Sequence, residues 1–312
     1  MKSLKQILNI VLHKPGTFWT VVLNKSGVSR WMPDRLYLRW LYRAYNGYWI
    51  DIDNPKTFQE KLQWLKLNDQ RDAYSQMVDK VGAKDYVAQL VGEEYIIPTL
   101  AVYNSVDEID FDVLPDQFVL KTTHDSQSAI ICTDKYAFDK SKALKKIKRK
   151  LKVQYYWYSR EYPYKNVPPR IIAEKYMGEL GAEDMIDYKF FCFNGQPKYC
   201  QVIKNRSTNE TIDFFDEKWQ HQGFYGLTQG VKQSLNPIQK PQNYDKMLDI
   251  ARVLSRNIPF VRVDLYNVNG KIYFGEMTFF PNGGFGTFTP QKWNQILGDM
   301  LILPVDCNSK KI

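Results

Sequence analysis

Histidine and cysteine are scarce in this 312-residue chain, with three and four copies. Cys132, Cys192, Cys200 and Cys307 form no CxxC pair, which argues against a zinc site and a disulfide scaffold and fits a reducing cytoplasm. Carboxylates and phosphate are left as the metal donors. No apolar run approaches the roughly 18 residues of a membrane-spanning helix. Residues 7–12 are too short for a signal-peptide core and lack a small-residue cleavage site. There is no internal repeat and no long flexible linker. No Ser–His–Asp or Cys–His set is evident, since nothing supplies partners for His124.

What is present is apolar, aromatic and basic. The chain is 44% hydrophobic and 15% aromatic, enough for a large core in two or three subdomains. Its net charge of +9 favours anionic partners such as nucleotides, acidic glycans or phospholipid surfaces. No DNA- or RNA-binding motif accompanies the charge, so nucleic acid is not expected. The basic residues concentrate in "KSKALKKIKRKLK", where Ala143, Leu144, Ile147 and Leu151 recur at helical spacing. This predicts a helix with one buried stripe, its basic face either simply solvated or turned to an anionic surface. The N-terminal "MKSLKQILNIVLHKPGTFWTVVL" reads either as a membrane-surface helix or as a helix packed on the domain.

Residues 31–70 read as two helices, the second opened by an Asn-Pro break and by Thr57 and Glu60 at capping-box spacing. Its buried stripe is expected at Phe58, Leu62, Leu65 and Trp64. "YSQMVDKVGAKDYVAQLVG" reads as one further amphipathic helix ended by Gly92. The periodicity then changes. "YIIPTLAVY", "DQFVLKTTH" and "SAIICTD" look extended, the last two as a hairpin. "RIIAEKYM" is a strand, "MIDYKFFCFNGQPKYCQVIKN" a hairpin, and "NETIDFFDEKWQHQGF" a strand and turn. A helix, "QNYDKMLDIARVLSRNI", leads to a last hairpin, "VRVDLYNVNGKIYFGEMTFF". The pattern is α+β with antiparallel hairpins.

That last hairpin places one acid on each of two apolar strands. Alternation puts Arg262 and Asp264 on one face, and Glu276 and Thr278 on one face of the next strand. A buried carboxylate needs a cation, a metal or a proton. Two adjacent acids suit a divalent ion bound by hard oxygens, with phosphates completing its shell. Lys121 ends one strand, Glu174 another, and Lys189 lies on a hairpin, so that cations suited to phosphoryl groups surround the acids.

This ordered set resembles the ATP-grasp enzymes, and most closely their TupA-like branch, found with bacterial capsule and cell-wall polysaccharide biosynthesis. "NPKTFQEKLQWLK", "DKVGAKDYV", "LPDQFVLKTTH", "PPRIIAEKYM", "DYKFFCFNGQPK" and "VRVDLYNVNGKIYFGEMTF" carry the likeness, in that order. The resemblance implies an α+β ATP-grasp fold: mainly antiparallel sheets, flanking helices, and ATP between two subdomains. It divides the chain into an N-terminal region (1–95), a lid subdomain (96–173) and a C-terminal subdomain with the metal site (174–305).

It also implies roles. Lys80 and Lys121 would lie at the nucleotide phosphates. Glu174, Lys175, Tyr176 and Met177 would form the hinge that reads adenine through backbone groups. Glu179 or Glu183 would hold the ribose. Lys189 and Arg262 would face the transferred phosphoryl or acyl group, with Asp187 nearby. Asp264 and Glu276 would hold Mg²⁺, with Thr278 or Asn282 as a third ligand. One departure stands out: the branch has a glycine-rich turn after the strand lysine, and here it reads "HDSQ". His124, Ser126 and Ser128 can still donate to phosphate, but Asp125 adds a like charge beside it.

The implied activity is an ATP-dependent carboxylate–amine ligase acting through an acyl phosphate. It would join an amino acid or amine to a uronic-acid-containing surface glycan or its lipid-linked or nucleotide-linked precursor. The tyrosines of residues 155–164 would either stack sugar rings or simply pack. The expected location is cytoplasmic, with membrane contact through the N-terminus where that helix is interfacial. Two other classes remain open. One is a nucleotide-sugar glycosyltransferase, whose metal-binding Asp-x-Asp would have to be Asp51-Ile-Asp53. The other is a non-catalytic binding module that keeps the fold.

Overall fold

The computed structural model describes residues 20, 22–24, 26–178, 186–205, 208–227 and 230–304. The N-terminal segment before residue 20, Glu179, Glu183 and Cys307 lie outside the described residues.

Helices α1 (Asp34–Asn46) and α2 (Phe58–Asn68) follow the expected pattern. The Thr57–Glu60 capping box closes α2's N-terminus, and Phe58, Leu62 and Leu65 are buried. Gln59, Gln63 and Lys66 on α2 are buried as well, which an amphipathic reading does not foresee.

The single helix expected over 74–92 is two, α3 (Ala73–Val78) and α4 (Gly82–Val91). Asp79 leaves helical geometry at ψ 119°, and its carboxylate accepts from the N–H groups of Val81 and Gly82 and, at 2.5 Å, from Arg170. Lys80, in the break, donates its backbone N–H to Thr123 O at 3.3 Å. Tertiary bonds therefore override a continuous helical periodicity, and the kink turns Lys80 towards the neighbouring strands.

A four-stranded antiparallel sheet has the order β1 (Thr99–Tyr103), β4 (Ile171–Lys175), β2 (Phe118–Thr122), β3 (Ile130–Cys132). The basic helix α5 (Lys140–Leu151) covers it, burying Ala143 and Ile147. Phe118, Leu120, Ile147, Ile171 and Ala173 form this sheet's small core. Alternation leaves Val119, Lys121 and Glu174 on the opposite face.

The larger, five-stranded antiparallel sheet runs β10 (Lys271–Thr278), β9 (Phe260–Val268), β5 (Asp187–Phe193), β6 (Gln196–Lys204), β7 (Thr211–Asp216). Both predicted hairpins close on two-residue Asn-Gly turns, with positive φ at Asn194, Gly195, Asn269 and Gly270. The short helix α6 (Tyr156–Ser159) lies between the sheets in sequence. Helix α7 (Tyr244–Leu254) packs on the large sheet through Met247, Ile250, Ala251 and Leu254, and α8 (Lys292–Met300) crosses α2. The two-residue strands β8 (Tyr225–Gly226) and β11 (Phe288–Thr289) pair with each other. The fold is α+β, as the sequence predicts.

Candidate active site

A cavity of about 380 Å³ lies between the two sheets. Lys80, Lys84, Lys121 and Glu174 line one side, and Tyr266, Gly275 and Glu276 line the other. Lys175, Tyr176 and Met177, the expected hinge residues, are also in its wall, with apolar cover from Val119, Ile131 and Phe274.

The large sheet builds a charged row by register. Lys189 on β5 faces Asp264 on β9, which faces Glu276 on β10. Arg262 and Thr278 pair one step further along. A bulge between Phe274 and Glu276, at Gly275, re-aims Glu276. A Cβ at Gly275 would lie 3.1 Å from both Asp264 O and the Tyr266 ring.

Asp264 is satisfied by cations. Arg262 donates Nε to Oδ1 at 2.6 Å and a second N–H to Oδ2 at 2.7 Å, and Lys189 Nζ also contacts Oδ2. Burial lifts this carboxyl above its usual range while Arg262 and Lys189 pull against the shift. The two cations in contact favour its ionised form. Glu276 behaves differently. It accepts from Arg262 at 3.2 Å and from Thr278 Oγ1 at 3.2 Å, yet keeps 50% of its side-chain surface open to the cleft. Burial would raise its carboxyl, but Lys189, Arg262 and Lys80 hold it at about 2. The question posed by two acids on adjacent strands has its answer here: the buried one takes cations as partners, and the other points an ionised oxygen into the cavity.

On the small-sheet side, Glu174 binds two lysines, with Lys84 Nζ on Oε1 and Lys121 Nζ on Oε2, each at 2.5 Å. Burial would raise the Glu174 carboxyl, but Lys121 and Lys84 hold it below the usual range. Lys84 escapes a motif-based reading. The only sequence signal for it is its place one helical turn after Lys80. Lys80 donates Nζ to the carbonyls of Thr123 and Asp125, and burial and Lys121 push its ammonium down to about 8.

The glycine-free turn differs from its expected effect. Asp125 is 2% exposed and folds inward, accepting from Thr122 Oγ1 and lying 3.3 Å from Lys150 Nζ. Its charge is therefore neutralised within the protein. Lys146 and Lys150 of the basic helix also donate to the turn's carbonyls, at Ala129 O (2.9 Å) and Ser126 O (3.0 Å). His124 is buried with Nε2 3.0 Å from Val153 O, and Ser128 bonds Thr122. Ser126 stays exposed.

Several expected residues lie elsewhere. Asn282 is not with the acids: the turn Pro281–Gly284 carries it to a second cavity, where it donates to Leu227 O. Asp187 is 3.6 Å from Lys189, on the same strand face. Asp51 and Asp53 are consumed locally, Asp51 by the N–H groups of Asp53 and Asn54, and Asp53 by Arg35. Most of the tyrosine-rich segment is internal packing: Tyr155 meets Tyr164 edge to face at 4.7 Å, and Tyr156 bonds Asp34.

The donor set fits Mg²⁺. That ion is commonly held by one or two carboxylates with substrate phosphates completing its shell. Glu276 supplies a carboxylate open to the cavity and Thr278 a hydroxyl, whereas Asp264 has both oxygens engaged by Arg262 and Lys189 and would have to release one to join the shell. Among the described residues no cluster of three His, Cys, Asp or Glu exists to hold a metal by protein ligands alone.

Two antiparallel sheets closing on a cation-lined cavity define an ATP-grasp fold. Within it the chain belongs to the TupA-like ATP-grasp family, whose model matches residues 60–302. Among solved structures, the chain is similar to D-alanine–D-alanine ligase from Bacillus anthracis complexed with ATP, at 15% identity and a TM-score of 0.38, covering 66% of this chain and 54% of that one. It is similar to the Helicobacter pylori D-alanine–D-alanine ligase at 12% identity and a TM-score of 0.38, covering 73% and 61%. The ATP-grasp ligase PsnB, complexed with a phosphomimetic precursor variant, Mg and ADP, is similar at 10% identity and a TM-score of 0.38, covering 78% and 65%. The chain thus spans less than two thirds of the length of each of these three. No curated protein matches it. Among the described residues no helix is long and apolar enough to cross a membrane.

Proposed function

We propose that this chain is an ATP-dependent carboxylate–amine ligase that attaches an amino acid or amine to a uronic-acid-containing surface glycan or its precursor. The cavity between the sheets carries the reading, because it sets three lysines opposite an ionised, half-open glutamate. Lys80, Lys84 and Lys121 offer charge to phosphates. Lys175 ends β4, and the backbone of Tyr176 and Met177 just past it is offered to a purine at the cavity wall. Glu276 and Thr278, joined by Asp264 where it gives up a contact to Lys189, would hold Mg²⁺, which when bound neutralises charge on the transferred phosphoryl group.

In this reading a substrate carboxylate oxygen attacks the γ-phosphorus and ADP leaves. The amine then attacks the acyl carbon, phosphate departs, and the amine gives up a proton. Arg262, anchored by Asp264, is placed to steady the developing negative charge. Its guanidinium is held firmly protonated: burial works against the charge, but Asp264 and Glu276 outweigh it. The apolar residues of the wall, Val119 and Phe274 among them, would limit the access of water to the mixed anhydride.

The test is ADP release, measured with Mg²⁺, ATP and a matrix of uronic acids and amino acids, with Glu276→Gln as control. Release that needs both substrates supports the ligase. AMP as product, or no nucleotide binding, sinks it. Nucleotide binding without turnover across the matrix favours a binding module. The local consumption of Asp51 and Asp53 speaks against the glycosyltransferase alternative, for which Asp51→Ala would have to abolish turnover of a nucleotide sugar.

A further inference from the structure

Beyond the strand that carries Glu276, the chain forms a second cavity, of about 470 Å³, with a different chemistry. Its wall includes Tyr45 and Asn46 from the end of α1, Tyr225 of β8, and Asn282, Gly286 and Thr289 from the segment after β10. No charged residue lines it among the described residues, in contrast to the lysine-rich cavity between the sheets. Its volume falls in the range of small-ligand sites.

Three observations point to a ligand with many hydroxyls and apolar ring faces. Tyr45 is 50% exposed and stacked on Phe285 at 5.0 Å and 14°, so one ring face is covered and the other open. Tyr225, across the wall, is 39% exposed. Asn46 also lines the wall, and its Nδ2, turned inward, has no acceptor among the described residues, so a rotation of the amide brings this donor to the groove. An amide donor held dry and unpaired is costly unless a ligand oxygen meets it.

The wall is also held firmly. Gln59, Gln63 and Lys66, at i, i+4 and i+7 on α2, donate to Gly286 O (2.8 Å), Gly284 O (2.7 Å) and Gly283 O (2.6 Å). This comb of buried polar side chains explains why α2 is polar where it should be apolar. It fixes a turn with positive φ at Asn282, Gly283 and Gly284. A Cβ at Gly284 would lie 2.7 Å from Gln63 Nε2.

We infer that this groove is a glycan-binding subsite, in which pyranose rings stack on Tyr45 and Tyr225 and a ring oxygen or hydroxyl accepts from Asn46. The inference rests on the ligase reading only for the reaction that follows binding; the ligand class comes from the lining. A phosphate, a peptide terminus or a uronate carboxylate would find no counter-charge in the wall, so the groove suits neutral sugar rings of the glycan, with any uronate placed outside it.

The full-length chain is titrated with chitohexaose, cellohexaose and hexagalacturonate by saturation-transfer NMR and calorimetry, with ATP binding measured in parallel. At least one hexasaccharide is expected to bind, and Tyr225→Ala and Tyr45→Ala each to weaken it about three- to tenfold with ATP affinity unchanged. Tyr45→Phe, which keeps the stack on Phe285, should retain binding, and melting curves identify any variant that fails to fold. No binding by any hexasaccharide at millimolar concentration, or binding that Tyr225→Ala, Tyr45→Ala and Asn46→Ala all leave unchanged, overturns the proposal. Hexasaccharide binding with no ATP binding would instead sink the ligase reading and leave the groove standing.

Discussion

Glu174→Gln has a consequence that the geometry fixes closely. The carboxylate meets Lys84 and Lys121 at 2.5 Å each and keeps only 5% of its side-chain surface exposed. Removing one partner of a buried ion pair typically costs ~3–5 kcal/mol, because the remaining charge is stranded. Two features reduce that here. Lys121 keeps 20% of its side chain exposed, and Lys84 retains bonds to Ile97 O at 2.7 Å and Thr99 Oγ1 at 2.8 Å. A loss of ~2–3 kcal/mol is therefore expected near neutral pH. The pH dependence has a definite sign. Glu174 titrates below its usual 4.5 in the folded protein, so its stabilisation is complete above that pH and is lost as pH falls through the depressed folded value. Urea unfolding of both proteins at neutral pH and then at successively lower pH should show a gap that narrows below about 4.5. A neutral-pH gap under about 0.5 kcal/mol, or one that persists unchanged into acid, refutes pairing as the source.

Other perturbations address the two walls separately. Lys80 loses its proton as pH rises through about 8, so ATP affinity should fall about ten- to a hundredfold across that range, by calorimetry, while Lys80→Met should be weak and pH-independent. Glu276→Gln removes the ionised oxygen facing the cavity and should lower ADP release by about a hundredfold or more in a coupled assay. Lys150→Met strands the inward-facing Asp125, so a loss of ~1–2 kcal/mol in urea unfolding is expected, the lower figure reflecting the 22% of the Lys150 side chain left exposed. Asp125→Asn in the same chain should restore most of it, and failure to do so would show that Lys150 acts through its other contacts.

What the sequence reveals follows the reach of its periodicities. Period two alone puts Asp264 with Arg262 and Glu276 with Thr278 on shared faces, but the register set by the Asn-Gly turn would place Gly275 opposite Asp264, and only the bulge at Gly275 brings Glu276 there. Period 3.6 finds α2 and the basic helix, but it also runs unbroken through Asp79, because both α3 and α4 carry apolar stripes. The tertiary partners that hold the break are remote in sequence: Arg170, ninety-one residues from Asp79, and Thr123, forty-three from Lys80. The comb on α2 is hidden for the same reason: Gln59, Gln63 and Lys66 read as a solvent face until the glycine turn more than two hundred residues later covers them.

Charge compensation is the least legible property, since partners are chosen in space. The glycine-free "HDSQ" turn suggests a carboxylate repelling phosphate, whereas Asp125 turns away to Thr122 and Lys150. The result is a different division of labour. A glycine-rich turn cradles an anion with its own N–H groups. Here the turn is braced from behind by Lys146 and Lys150, and its Asp125 carbonyl engages Lys80. In the proposed function the positive face offered to a phosphate would be carried by side chains of α4, the α3–α4 break and β2 in place of the turn's backbone. Such a face is sensitive to pH through Lys80, which a backbone cradle would not be. The titration of ATP affinity across pH 8 therefore separates the two designs.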